Sequence, residues 1–123
     1  MMNSKSISTA KRAFLIACAC VLTSGRATAT IVTPTASVTI IQSYAYTNLY
    51  GGDFVFSTSA AAPGCASGWY ISASDPGFKS AVATVLAAQV AGSFVTVFGD
   101  NSQIWPGSPS GLYCHVQTVG IAS

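Results

Sequence analysis

Charge is what this chain has least of. Its 123 residues hold five Lys or Arg, three acidic residues and one histidine, so 7% of the sequence is charged. Four of the five basic residues, Lys5, Lys11, Arg12 and Arg26, fall before residue 30. Beyond that point Lys79 stands against Asp53, Asp75 and Asp100, a formal charge of −2. That excludes a nucleic-acid partner, because phosphate binding depends on clustered Lys and Arg. A single histidine and no C-x-x-C pair leave no ligand set for zinc. There is no Gly-x-Ser-x-Gly elbow to present a nucleophile and no glycine loop of phosphate-binding type.

The few titratable groups have non-catalytic readings. Asp75 precedes a helical pattern and reads as its cap. Asp53 and Asp100 each follow a glycine in turn-like stretches, where Asp serves the backbone. His115 follows a cysteine in a β-type run and reads as structural or surface. The expectation is no catalytic residue, no cofactor, no metal and no enzyme.

A long apolar run is also missing. Lys5, Lys11 and Arg12 precede the apolar stretch 13–22, and Ala27-Thr28-Ala29 has the A-x-A form of a cleavage site. The apolar stretch is shorter than the roughly 20 residues that span a bilayer. Residues 1–29 therefore read as an export signal cleaved after Ala29, on a secreted or periplasmic protein that is not integral to a membrane. A rival reading takes Leu15-Ile16-Ala17-Cys18 as a lipobox, with Cys18 carrying a lipid.

Residues 30–123 then form one small domain. It retains two cysteines, Cys65 and Cys114, and in an exported chain one disulfide is expected. The loop-entropy model assigns such a long closure about 4 kcal/mol.

The clearest element is a helix over residues 75–92. Asp75 is placed to cap it, Pro76 to occupy its first position, and Gly92 to end it in a left-handed conformation. Phe78, Val82, Val85, Leu86 and Gln89/Val90 form an apolar stripe at helical spacing. The opposite side carries Ser80, Ala83, Thr84, Ala87 and Ala91, all small, where a solvent-facing helix normally shows Lys and Glu. Such a face suits either close approach of another backbone or a thin uncharged surface.

Around the helix, residues 30–36 read as an extended lead-in and β-branched or aromatic runs read as strands. These are 38–44, 54–58, 69–73, 93–98 and 112–121, with turns at 46–53 and 99–103 and a Pro/Gly-rich loop at 104–111. The expectation is a mostly β (α+β) fold: a small OB-fold-like five-stranded barrel with one helix between strands 3 and 4. The disulfide would tie the segment before the third strand to the last strand.

Aromatics fall in loop-rich places. Tyr44, Tyr46 and Tyr50 surround the first hairpin, and Trp105 lies in the Pro/Gly loop. An aromatic face beside Ser, Thr and Asn can stack on the apolar side of a sugar while polar groups bond its hydroxyls, and the same pairing suits protein interfaces. These four are the candidate ligand-binding residues. Trp69 reads as core.

Taken together, the export signal, Cys65, Trp69-Tyr70-Ile71, the helix ending Ala91-Gly92, the strand Val95-Thr96-Val97 and Cys114 form a pattern. It resembles the OB-fold binding (B) subunits of bacterial AB-type pentameric toxins, in the subtilase-cytotoxin and pertussis-like branch. The resemblance implies a homopentamer whose helices line a pore, a catalytic A subunit as partner, and a host glycan or other surface ligand bound by loops and barrel edge. It would place Ser80, Thr84, Ala87 and Ala91 on the oligomer face, a less polar surface than such pores usually carry. No glycan motif of that family can be placed on these residues. The alternative is a periplasmic structural or protein-interaction domain without sugar binding.

Overall fold

The computed structural model describes residues 30–108 and 111–123. The expected export signal, its expected cleavage after Ala29 and the alternative lipid-bearing Cys18 lie outside the described residues. The elements are β1 (Ile31–Val32), β2 (Ile40–Ala45), β3 (Phe54–Thr58), β4 (Gly68–Ile71), α1 (Phe78–Ala91), β5 (Val95–Ile104) and β6 (Tyr113–Ile121). The protein is mostly β with one helix. That helix falls between the third and fourth of the five strands expected from sequence.

All these strands lie in one six-stranded sheet of order β1-β5-β6-β4-β3-β2. Only β4 and β6 run parallel; the other pairs are antiparallel. Two expectations are corrected. The lead-in 30–36 contributes an extra strand, and the sheet does not close into a five-stranded barrel. A single bridge, with the Val95 N–H donating to the Val38 carbonyl at 2.8 Å, links the approach to β2 with the start of β5. The reason lies in how edges are shared. One side of β5 is taken by β6, and on the other side β1 pairs at Gly99 and Asp100. A bulge between Ile40 and Gln42 also breaks the β2 ladder just beyond the bridge.

A third correction concerns residues 99–103, expected as a turn. They belong to β5, which runs ten residues and absorbs the irregularity as a bulge between Asp100 and Ile104.

Cross-strand partners share a face, so the register separates two surfaces. Ser43, Phe56, Trp69 and Cys114 form one row, and the last three are buried in the core. Trp69 is fully buried, as expected, and its Nε1–H donates to Thr58 Oγ1 at 3.1 Å. The Cys65–Cys114 disulfide is present, with Cα atoms 5.4 Å apart, and ties the approach to β4 to β6. Gly99 lies flat on the indole: a Cβ there would come within 2.5 Å of Trp69 Cζ3.

The helix covers the core with Val85 and Ala88, both fully buried, and with Phe78, Ala81 and Val82 packed beside them. Gln89 Oε1 accepts from Ser43 Oγ at 2.6 Å, anchoring the last turn to β2. The expected stripe is therefore rotated. Leu86 and Val90 point outward, with Val90 90% exposed. Ala81 and Ala88 take the inward seats because a small side chain lets the helix backbone come close to the sheet, which a reading based on large apolar residues overlooks.

The helix ends as expected at left-handed Gly92, where Gly92 N–H bonds Gln89 O and Ser93 N–H bonds Ala88 O, a Schellman arrangement. Its start differs. Gly77 is the cap residue and no side chain caps the turn, so Asp75 and Pro76 precede the helix.

We expect Gly99→Ala to destabilise by about 1–3 kcal/mol, because the added methyl must displace a fully buried indole. Thermal unfolding would show this as a drop in Tm of several degrees, about 4–8 °C per kcal/mol for a domain of this size. An unchanged Tm would contradict the packing described.

Candidate functional site

The face opposite the core carries a second row that crosses every strand: Tyr44, Val55, Tyr70, His115, Asp100 and Ile31. Two loops rise beside it. In the loop between β2 and β3, the Tyr46 N–H donates to the Asp53 carbonyl at 3.0 Å and closes the turn. Inside it Tyr50, Gly51 and Gly52 are all left-handed, with φ of 51°, 68° and 86°. Glycine enters that region freely, but a tyrosine there costs about 1–2 kcal/mol. The strained residue is held by ring contacts.

Those contacts gather three of the four expected ligand-binding residues. The Tyr50 ring lies 4.9 Å from Trp105 and 5.6 Å from Tyr46, and Tyr46 lies 5.2 Å from Trp105. Tyr113 of β6 completes the group at 5.7 Å from Trp105. Trp105 reaches this position because its N–H bonds the Tyr113 carbonyl at 2.8 Å. Gly107 passes over the indole where a Cβ would come within 2.3 Å of Cζ2. Trp105 is buried, whereas Tyr50 is 46% exposed and offers its ring to solvent. Trp105 thus supports the cluster, and Tyr50, Tyr46 and the exposed Leu49 form its accessible part. Tyr44 sits exposed in the outer row, outside this group of touching rings.

Asp53 does more than serve a turn. Its Oδ2 accepts from Trp105 Nε1 at 3.1 Å, and its Oδ1 accepts from Ala73 N–H at 3.0 Å. One carboxylate thereby joins both aromatic loops to the β4–α1 turn. In that turn Asp75 Oδ2 accepts from Ser72 N–H at 3.0 Å and pairs with His115 Nε2 at 2.7 Å. The expected helix-capping role of Asp75 is replaced by this long-range pair. Gln117 Nε2 lies 3.3 Å from His115 Nδ1, so amide donation to Nδ1 leaves Nε2–H to face the carboxylate. The Tyr70 ring lies against the imidazole at 5.0 Å. Burial pushes the Tyr70 hydroxyl above its usual pKa, and Asp53, Asp75 and Asp100 add to this by disfavouring a phenolate.

The third carboxylate, Asp100, is buried, yet its pKa lies below the usual range. The Ser102 hydroxyl, at 2.6 Å, is the largest cause, followed by the Ser102 N–H at 2.9 Å; burial opposes them, and Gln103 Nε2 at 3.1 Å adds to the lowering.

Below His115, a cleft of about 390 Å³ opens between α1 and β6. Asp75, Ser80, Thr84, His115, Gln117 and Thr118 bring polar groups to it. Sequence reading missed this site: Asp75 and His115 are 40 residues apart, and no local pattern links them. Of the expected oligomer face, Ser80 and Thr84 line the cleft. Ala87 and Ala91 are exposed and lie beside Leu86 and Val90 in sequence. Among the described residues no group of three or more His, Cys, Asp or Glu is placed to hold a metal. No helix among them is long and apolar enough to cross a membrane.

No protein-family model, curated protein or solved structure matches this chain.

Two outcomes follow from the carboxylates. Asp53→Ala should cost about 1–3 kcal/mol, because it leaves the Trp105 and Ala73 N–H groups without their acceptor. It should also red-shift the fluorescence of Trp105, against a constant signal from Trp69; an unchanged spectrum would deny Asp53 its bridging role. Asp100, whose folded pKa is lowered, contributes stability that is full above its ordinary value of 3.8 and is lost as pH falls through the folded value. Asp100→Asn should therefore flatten the acid limb of a stability-against-pH curve below about pH 4 and leave the slope near neutrality alone.

Proposed function

We propose that this is an exported, non-catalytic binding protein that recognises a glycan or other surface ligand through the Tyr46–Tyr50 side of the outer face and works as a homo-oligomer. The observation that carries this reading is the convergence of Tyr46, Tyr50 and Trp105 from two separate loops, with Tyr50 held exposed in a left-handed conformation. Backbone strain at an exposed aromatic is a mark of functional loops. Loops at this position in OB-type sheets are known ligand carriers, which is support by analogy of fold alone. The disulfide suits an oxidising compartment. Each of the three aspartates accepts hydrogen bonds within the chain, which favours a structural or binding role over acid–base chemistry.

Assembly is favoured by the outer side of α1, where Leu86, Ala87, Val90 and Ala91 are exposed and apolar. A helix with apolar residues on both sides is normally covered on both. A pentameric ring with a separate catalytic subunit, as in the toxins this sequence resembles, is the form of assembly we propose. If the helix face assembles and the tyrosines bind nothing, the protein is instead an interaction domain of the periplasm.

Protein lacking residues 1–29 should give hits on a glycan array that weaken at least tenfold, about 1.4 kcal/mol, in Tyr46→Ala and in Tyr50→Ala. Hits indifferent to both changes would remove the tyrosine site. Under native conditions the same protein should run as an oligomer, and Ala87→Glu or Val90→Glu should convert it to a folded monomer. A wild-type monomer at high concentration would defeat the ring.

A further inference from the structure

The cleft between α1 and β6 opens beyond the end of the β4–β6 pairing; its lining takes in Ile71 and Val116 of the core as well as His115 and Gln117, and β6 connects it to the aromatic group on the outer face. Alternate β6 residues point to that face: Tyr113 touches Trp105, His115 touches Tyr70 and Asp75, and Gln117 touches His115. Tyr113 and Gln117 are about 13 Å apart at the rise of an extended strand. We propose that this cleft is a second ligand subsite, one that takes a neutral hydroxylated ring, the terminal unit of a glycan whose next units lie across the Tyr46–Tyr50 side. The inference rests on the glycan reading above and assigns it a specificity pocket.

The chemistry of the walls selects the ligand class. The cavity, about 390 Å³, falls in the size range of small-molecule sites, which join an apolar lining to a few convergent polar groups. Here the apolar part is Ile71, Ala81, Val116 and Val119. An anion finds no Lys or Arg in this lining. A cation finds only Asp75, whose Oδ2 is already engaged by His115 and Ser72 N–H. Polar capacity that remains is of the kind hydroxyls satisfy. Among the described residues, Ser80 Oγ, Thr118 Oγ1 and Asp75 Oδ1 make no hydrogen bond within the protein. Gln117 keeps its amide oxygen as an acceptor. A pyranose matches this set, with an apolar face for the half-buried Ala81 and Val119 and a rim of hydroxyls for the rest.

The geometry around the cleft is preorganised. Asp75 is fixed from both sides by Ser72 N–H and His115, and the imidazole is fixed between Asp75, Gln117 and the Tyr70 ring. Asp53 holds the turn that carries Asp75 through Ala73 and holds Trp105 as well, so the two subsites keep a set distance. A rigid spacing of this kind selects an extended chain over an isolated sugar.

The test uses NMR titration of protein lacking residues 1–29 with glucose, galactose, mannose and N-acetylglucosamine, and calorimetry with the best oligosaccharide from the array. At least one monosaccharide should shift the His115 imidazole and Gln117 amide signals. Ser80→Trp, which fills the cleft from an exposed position, should abolish those shifts, and Gln117→Ala should weaken them; Tyr50→Ala should leave them in place. Oligosaccharide affinity should fall at least tenfold in Ser80→Trp and separately in Tyr50→Ala. An oligosaccharide that loses affinity with Tyr50→Ala and binds Ser80→Trp and Gln117→Ala like wild type would overturn the cleft subsite while sparing the glycan reading. Absence of any glycan binding would overturn both. Monosaccharide shifts at His115 without any effect of Tyr50→Ala on the oligosaccharide would keep the cleft and remove the tyrosine site.

Discussion

The parallel pairing of β4 with β6 is the contact on which the rest of the molecule turns. It is the only parallel pair in the sheet, and it sets Trp69 beside Cys114 on one face and Tyr70 beside His115 on the other. The disulfide fastens it, because Cys65 lies just before β4 and Cys114 lies within β6. A chain this poor in charge and this small has few other means of fixing a non-local pairing, and closing a 49-residue separation covalently removes much of the entropy of the unfolded state. On the inner face the pairing brings Trp69 under Gly99 and so locks β5 over the core. On the outer face it creates the Tyr70–His115–Asp75 contact.

Three aspartates carry the polar architecture, and each does so by accepting several hydrogen bonds. Asp53 ties the aromatic loops to the β4–α1 turn, Asp75 ties that turn to β6, and Asp100 stabilises the bulge that lets β5 continue. With so few charges there is little ion pairing to lend stability; among the described residues the one carboxylate–base pair is Asp75 with His115. Carboxylates are suited to the task because two oxygens can each accept more than one bond, so a single side chain can hold two segments. Burial of Tyr70 disfavours its phenolate, and the three carboxylates near it add to that effect.

Sequence reading was strongest where a feature is local and periodic. The helix, its left-handed Gly92 terminus, the strands and the buried Trp69 follow from residue type and spacing, and the disulfide follows from there being two cysteines, Cys65 and Cys114, beyond residue 29. It was weakest where an outcome depends on competition between distant segments. The open sheet follows from β1 taking the edge of β5 that β2 would need to close a barrel, and Ile31-Val32 carries no signal strong enough to show it. The helix rotation depends on alanines at 81 and 88 being smaller than the residues that hydrophobicity favours. Asp75 looked like a cap because it stands where caps stand; its partner is 40 residues away.

The candidate site divides along the same line. Tyr46, Tyr50 and Trp105 could be picked out because aromatic residues in Gly- and Pro-rich loops are conspicuous, and their convergence follows once β2–β3 and β5–β6 are neighbours through β4. Their roles differ from what residue type alone suggests. Trp105, the largest ring, is covered by Gly107 and acts as the support, and Tyr50 takes the exposed position at the cost of a left-handed backbone. The cleft had no such marker, since serine, threonine, glutamine and alanine at its walls are ordinary surface residues in sequence. What makes them a site is the end of the β4 pairing at Tyr70 opposite His115. Past that point β6 loses its neighbour while α1 has not yet closed upon it, and the gap between them is the cleft. The same strand pairing that fixes the core therefore determines, by where it stops, where the cleft lies.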